Sequence, residues 1–162
     1  GLVPSGVEGF ASTGGWTLGS KDAMKVYSTA RIVELTPEQQ KVVEEVTNGV
    51  YRPCCDNPAS FPDCNHGMAA LGLAELMASQ GASSDQIFEA LKYANSYWFG
   101  SQYVVLARYF EAKEGKSWDE VPGRLVLGKA YSSYSGWTRV QNWLSENNLL
   151  PPPASGGGSC GV

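Results

Sequence analysis

The chain has 162 residues, with 12 Lys and Arg against 16 Asp and Glu and a single His, for a net charge of −4. That balance argues against nucleic acid as partner, because phosphate binding needs clustered Lys and Arg that release counterions. Charged residues form 17% of the chain and hydrophobic residues 43%, which predicts a globular domain able to bury its own core. The four cysteines are too few for a disulfide scaffold and enough for a site.

Residues 1–20 carry six Gly and no helical period, and read as an irregular arm or an expression remnant. Gly1 in place of Met indicates a processed or trimmed chain. Low charge and a Gly/Ser-rich texture then point to an exported protein, periplasmic or extracellular, compatible with a lipid or peptide anchor upstream of residue 1. No run of about 18 apolar residues is present, so no transmembrane segment is expected.

Residues 21–150 read as a single helical domain. Thr36, Pro37 and Gln39 supply an N-cap, a first-turn proline and a capping box, and Gly49 a stop. Asp63 is expected to cap a second helix with Ala70, Leu73, Ala74 and Met77 at helical spacing, ended by Gly81. Its small residues Ala69, Ala70, Gly72, Ala74 and Ala78 invite close packing. A third helix opens at Ser83, runs past a bend at Gly100 to Phe110 and ends at Gly115. The short connection between the second and third helices predicts an antiparallel hairpin. A short piece from Ser117 and a last helix through Trp137, Val140 and Leu144 follow, stopped by Pro151. Residues 25–35 and 124–127 are the only strand candidates. The expected class is all-α: a small helical domain whose central hairpin is preceded by a Cys-rich loop. Residues 151–162 form a Pro/Gly/Ser tail expected to be flexible.

The chemistry concentrates in residues 51–68, YRPCCDNPASFPDCNHGM. Cys54, Cys55, Cys64 and the sole histidine, His66, form C-C-x8-C-x-H, with Met68 two positions on. Pro53, Pro58 and Pro62 force a loop that folds Cys54 or Cys55 back toward Cys64. Thiolate, imidazole and thioether are soft or borderline ligands, so the leading expectation is a soft-metal site that holds or shuttles its ion, with a metal-exchange or thiol-exchange protein as partner. Copper leads, because Met68 adds a thioether and adjacent thiols suit low-coordinate ions; zinc and mercury follow, and iron is compatible. The spacing fits no zinc-finger rule.

Two alternatives use the same residues. Near a helix N-terminus Cys64 should have a lowered pKa, as in a thiol–disulfide oxidoreductase where Cys64 attacks and Cys54 or Cys55 resolves. A disulfide from Cys54 or Cys55 to Cys64 would instead staple a helical interaction module. Cys160, in the tail, is either a mobile resolving or metal-delivering thiol or a terminal cysteine without a role. Asp56 and Asp63 are weaker candidates as ligands or bases and better read as turn or cap residues. Tyr93, Tyr97, Trp98, Phe99, Tyr103, Tyr109 and Phe110 read as core packing before a haem or sugar wall, as do Tyr131, Tyr134, Trp137 and Trp143. No phosphate loop, nucleophile elbow or second His is present, against hydrolases, kinases and dinucleotide enzymes; a catalyst is less expected than a binding protein.

Tyr51-Arg52-Pro53-Cys54-Cys55, the following small-residue helix and the turn Gly81-Ala82-Ser83-Ser84-Asp85-Gln86-Ile87 resemble, over residues 50–99, two kinds of exported bacterial protein. One is the PCYCGC-motif lipoproteins; the other is the helical thiol-reductase domain of cytochrome c maturation. The adjacent Cys54-Cys55 differs from the spaced cysteines of the first, and the C-x-x-C of the second is missing. The resemblance implies an extracytoplasmic helical module that presents thiols on a loop before a helix hairpin.

Overall fold

A computed structural model describes residues 6–14, 20–27 and 29–151. Among them the fold is all-α, with eight α-helices and no β-sheet. Short α1 (Ala11–Gly14) is followed by α2 (Pro37–Gly49), α3 (Asn65–Ser79), α4 (Ser84–Trp98) and α5 (Gly100–Glu114). Two single-turn helices, α6 (Gly123–Val126) and α7 (Lys129–Ser132), lead into α8 (Tyr134–Glu146).

Local chemistry sets the boundaries. At α2 the Thr36 hydroxyl accepts from Gln39 N–H at 3.3 Å while Gln39 Oε1 accepts from Thr36 N–H at 2.8 Å. Ser83 and Gln86 repeat that reciprocal pair at α4, so both starts answer two orphan donors each. Gly81, at φ 86°, makes the turn between α3 and α4, and Gly115, at φ 65°, closes α5; both positions favour glycine because its missing Cβ removes the left-handed clash. The expected bend at Gly100 is a break at Phe99 (φ −125°, ψ 47°), which caps α4 and opens α5. Phe99 N–H donates to Asn95 O and Phe99 O accepts from Tyr103 N–H, and its buried ring holds the corner in the core.

The core lies where α2, α3, α4, α5 and α8 meet, and includes Val43, Val46, Ile87, Phe88, Leu91, Leu106, Phe110 and Leu144. Ala70, Ala74 and Ala78 of α3 are fully buried and let neighbouring helices approach, whereas Ala69 and Gly72 face away from the core. In the aromatic series Phe99, Tyr103, Tyr109 and Phe110 are buried, while Tyr93 and Tyr97 are exposed. Neither strand candidate forms a strand: residues 23–25 are a 3-10 turn and 124–126 belong to α6. The single antiparallel bridge among the described residues, Tyr51 to Pro58, closes the neck of the Cys-rich loop. None of the helices described is long and apolar enough to cross a membrane.

Candidate thiol site

The loop between α2 and α3 is clamped at its base. Ala59 N–H donates to Val50 O at 2.8 Å, Tyr51 N–H to Leu127 O at 2.8 Å, and Asn95 Nδ2 to Tyr51 O at 3.0 Å. With Tyr51 fixed on both sides, Arg52 is driven inward and is fully buried. Its Nη2 lies 3.2 Å from Asp63 Oδ1 and 3.4 Å from Cys55 Sγ. Asn57 Nδ2 donates to the other carboxylate oxygen of Asp63 at 2.9 Å. Arg52 Nε and Nη1 are buried without a partner, so one half-exposed carboxylate leaves the guanidinium undercompensated; a further negative group beside it is favoured.

The thiols supply that group. Cys64, one residue later than the expected Asp63, is the N-cap of α3, its Sγ accepting from Gly67 N–H at 3.4 Å. Asp63 is drawn instead to Arg52 and Asn57. Cys54 is exposed, Cys55 and Cys64 half-buried. Cys54 Sγ donates to Cys55 Sγ at 3.8 Å, and Cys64 lies close enough to share in the titration of the pair. The three thiols influence one another's titration, and Cys54 keeps its proton. The neighbouring Cys54 thiol, opposed by burial and helped by the Gly67 amide and Arg52, lowers Cys64 to about 5. Donation from Cys54, again against burial and with help from Arg52, lowers Cys55 to about 6. Cys54 itself is pushed far up, first by the two neighbouring thiols.

This arrangement overturns the expected metal centre. Among the described residues no group of three or more His, Cys, Asp or Glu is placed to hold a metal ion. His66 turns its ring onto Phe99 (centroids 4.7 Å apart) and Trp98 (5.5 Å), out of the thiol cluster. Met68 packs against the core a helical turn further on. A buried guanidinium occupies the place beside the sulfurs where a cation would be needed, and like charges there repel. Copper, zinc or mercury binding through Cys54, Cys55, Cys64, His66 and Met68 is therefore corrected, and with it a metal ion as cofactor or partner. The staple is not formed either: Cys54, Cys55 and Cys64 are free thiols. Cys160 and the rest of the expected tail beyond Pro151 lie outside the described residues.

Two elements of the site escape a reading based on ligand types. Arg52 supplies the charge, and its signal was an Arg-Pro pair directly before the cysteines. The loop is also docked on α8: Tyr134 N–H donates to Cys55 O at 2.9 Å, and Asp56 Oδ1 accepts from Ser135 N–H at 2.9 Å and Ser135 Oγ at 2.8 Å. Asp56 is thus a cap, for a helix 79 residues away in sequence. No protein-family model, curated protein or solved structure matches the chain.

Proposed function

We propose that the protein is a thiol–disulfide oxidoreductase in which Cys64 attacks and Cys54 resolves. The observation that carries this is a helix-capping Cys64, its Sγ accepting from Gly67 N–H and its thiol pKa lowered, in one cluster with an exposed Cys54 that keeps its proton. Cys64 thiolate attacks a partner disulfide and expels one partner thiolate, leaving a mixed disulfide. Cys54 gives its proton to that leaving thiolate and attacks Cys64 Sγ, expelling the second partner sulfur and closing a Cys54–Cys64 bond. Two partner thiols are gained and two protein thiols oxidised. Run backwards, the same steps oxidise a partner dithiol.

Cys55 is less suited to resolve, because its carbonyl is bound by Tyr134, its amide by Arg52 O, and its sulfur by Arg52. In this reading it is a second anion that neutralises Arg52. The loop-before-hairpin layout and the resemblance of residues 50–99 to extracytoplasmic thiol proteins support placing the activity outside the cytoplasm as part of the same proposal. The test is trapping. The C54S variant is expected to accumulate a mixed disulfide through Cys64 with oxidised glutathione or a disulfide-bonded protein, while wild type releases it as the Cys54–Cys64 disulfide. A C54S protein that forms no adduct, together with a Cys64 thiol of ordinary pKa, would sink the proposal.

A further inference from the structure

Cys64 stands at the head of one face of α3. At 100° per residue, Met68, Leu71, Gly72 and Glu75 follow it on the same side of the helix. Those four residues form one wall of a groove of about 450 Å³, whose other wall comes from residues 26–27 and 30–33. The groove is open where Gly72 lacks a side chain, since a Cβ there would meet nothing within 4 Å. Its volume suits two or three side chains of an extended segment. Its walls are mixed: Met68, Leu71 and Ile32 are apolar, while Glu75 and Arg31 bring charge.

The two charges differ in setting. Arg31 is exposed, whereas Glu75 is half-buried and has no ion-pair partner among the described residues. Burial pushes the Glu75 carboxyl above its ordinary value; a bound cation would relieve that cost. The chain as a whole is acidic, which favours encounter with a basic partner.

Resting on the oxidoreductase reading above, we infer that this groove is the substrate cleft of the thiol site, and that it takes an extended cysteine-containing segment of a protein disulfide, an apolar residue against Met68 and Leu71 and a Lys or Arg at Glu75. The spacing follows from the helix. Positions 64 and 75 are eleven steps apart, or roughly 16 Å at a rise of about 1.5 Å per residue. An extended peptide covers that distance in about five residues at roughly 3.3 Å each, so the basic residue belongs about five positions from the attacked cysteine.

The test uses the full chain and a set of cysteine peptides, each a mixed disulfide with glutathione. The peptides carry Lys, Gln or Glu two, five or eight positions from the cysteine, with oxidised glutathione as the small probe. Wild type is expected to react fastest with Lys at five positions. In the E75K variant that preference falls roughly two- to fivefold, the range of a single solvent-accessible ion pair, and Glu at five positions becomes the preferred peptide. The far-UV circular dichroism and free-thiol count of E75K are expected to match wild type, which shows that the variant is folded and its thiols intact. Equal effects of E75K on every peptide, or a preference independent of spacing, would overturn the cleft while leaving the thiol chemistry standing. No reaction with any disulfide, oxidised glutathione included, would overturn both.

Discussion

Gly67 rests directly on the guanidinium of Arg52: a Cβ built at position 67 would lie 3.0 Å from Arg52 Cζ and Nη2 and 3.1 Å from Pro62 Cα. Bare backbone in the first turn of α3 lets the helix end meet a buried cation and still offer its amide to Cys64 Sγ. The G67A substitution forces Arg52 or the Pro62 backbone to shift, and overpacking of this kind costs about 1 to 3 kcal/mol. Urea unfolding is expected to show that loss, and alkylation of Cys64 is expected to titrate at higher pH than in wild type. A G67A protein with unchanged stability and unchanged Cys64 titration would show that the contact relaxes freely.

The thiols set a pH dependence whose sign is fixed by the lowered value of Cys64. A group whose folded pKa lies below its unfolded value stabilises the fold above the unfolded value, and that contribution is lost as pH falls through the folded one. For Cys64 the window runs from about 9 down to about 5, and Cys55 works in the same direction. The stability of wild type minus that of C64S is therefore expected to shrink as pH falls from 9 to 5. In the same window, alkylation of Cys64 stays fast until pH approaches 5, and the C54A variant, which removes the neighbouring donor, titrates higher.

Removing the charge of Arg52 acts on both thiolates together. In R52M the lost attraction raises Cys55 and Cys64, destabilises the reduced form relative to the disulfide, and makes the protein a weaker oxidant. The reduction potential is expected to fall on the order of 30 mV for each tenfold change in the exchange equilibrium, read by equilibration with a glutathione buffer. R52K keeps a charge but not the reach of Nη2, the one nitrogen that touches both Asp63 and Cys55, so an intermediate potential is expected.

Much of the fold could be read from the chain because its signals are local. The capping boxes at Thr36 and Ser83 and the stop at Gly115 name their own helix ends, and α2, α4 and α5 lie where those residues put them. The corner at Phe99 was less legible: glycine next door was the visible breaker, but burial of an aromatic ring decided the position. The site divides the same way. The loop that returns Cys54 toward Cys64 follows from its prolines, and the part of the lowered Cys64 that comes from the Gly67 amide follows from its place at a helix start. Where His66 turns depends on Trp98 and Phe99, more than 30 positions away, and no spacing rule within residues 54–66 contains that. Soft-ligand types in a short stretch pointed to a metal; a buried arginine brought against them by Asn95 and Leu127 made the same residues an anion site.

The core itself gives a further check. Leu144 of α8 is fully buried beside α5, and L144A is expected to cost about 2 to 5 kcal/mol. The thiols should respond as well, because α8 carries Tyr134 and Ser135 onto the loop. A destabilised L144A with unaltered Cys64 alkylation would uncouple that helix from the site.

The contact between Asp56 and Ser135 can be probed alone. D56A removes the acceptor for Ser135 N–H and Oγ, and faster hydrogen exchange at the Ser135 amide is the expected result, with the α2 and α4 amides unaffected.

The docking of the Cys-rich loop on the start of α8 also orders events in time. Domains generally fold as units once their chain is available, and synthesis proceeds from the N-terminus. Cys54, Cys55 and Cys64 emerge some 70 to 80 residues before Tyr134 and Ser135, so the nascent chain displays three thiols before the last wall of their site exists. During that interval they are ordinary cysteines, as open to cross-linking as any other. The helix α8 is thus the element whose arrival completes the surroundings of the three thiols, and a chain interrupted before it would carry the cysteines without the contacts of Cys55 and Asp56 to Tyr134 and Ser135.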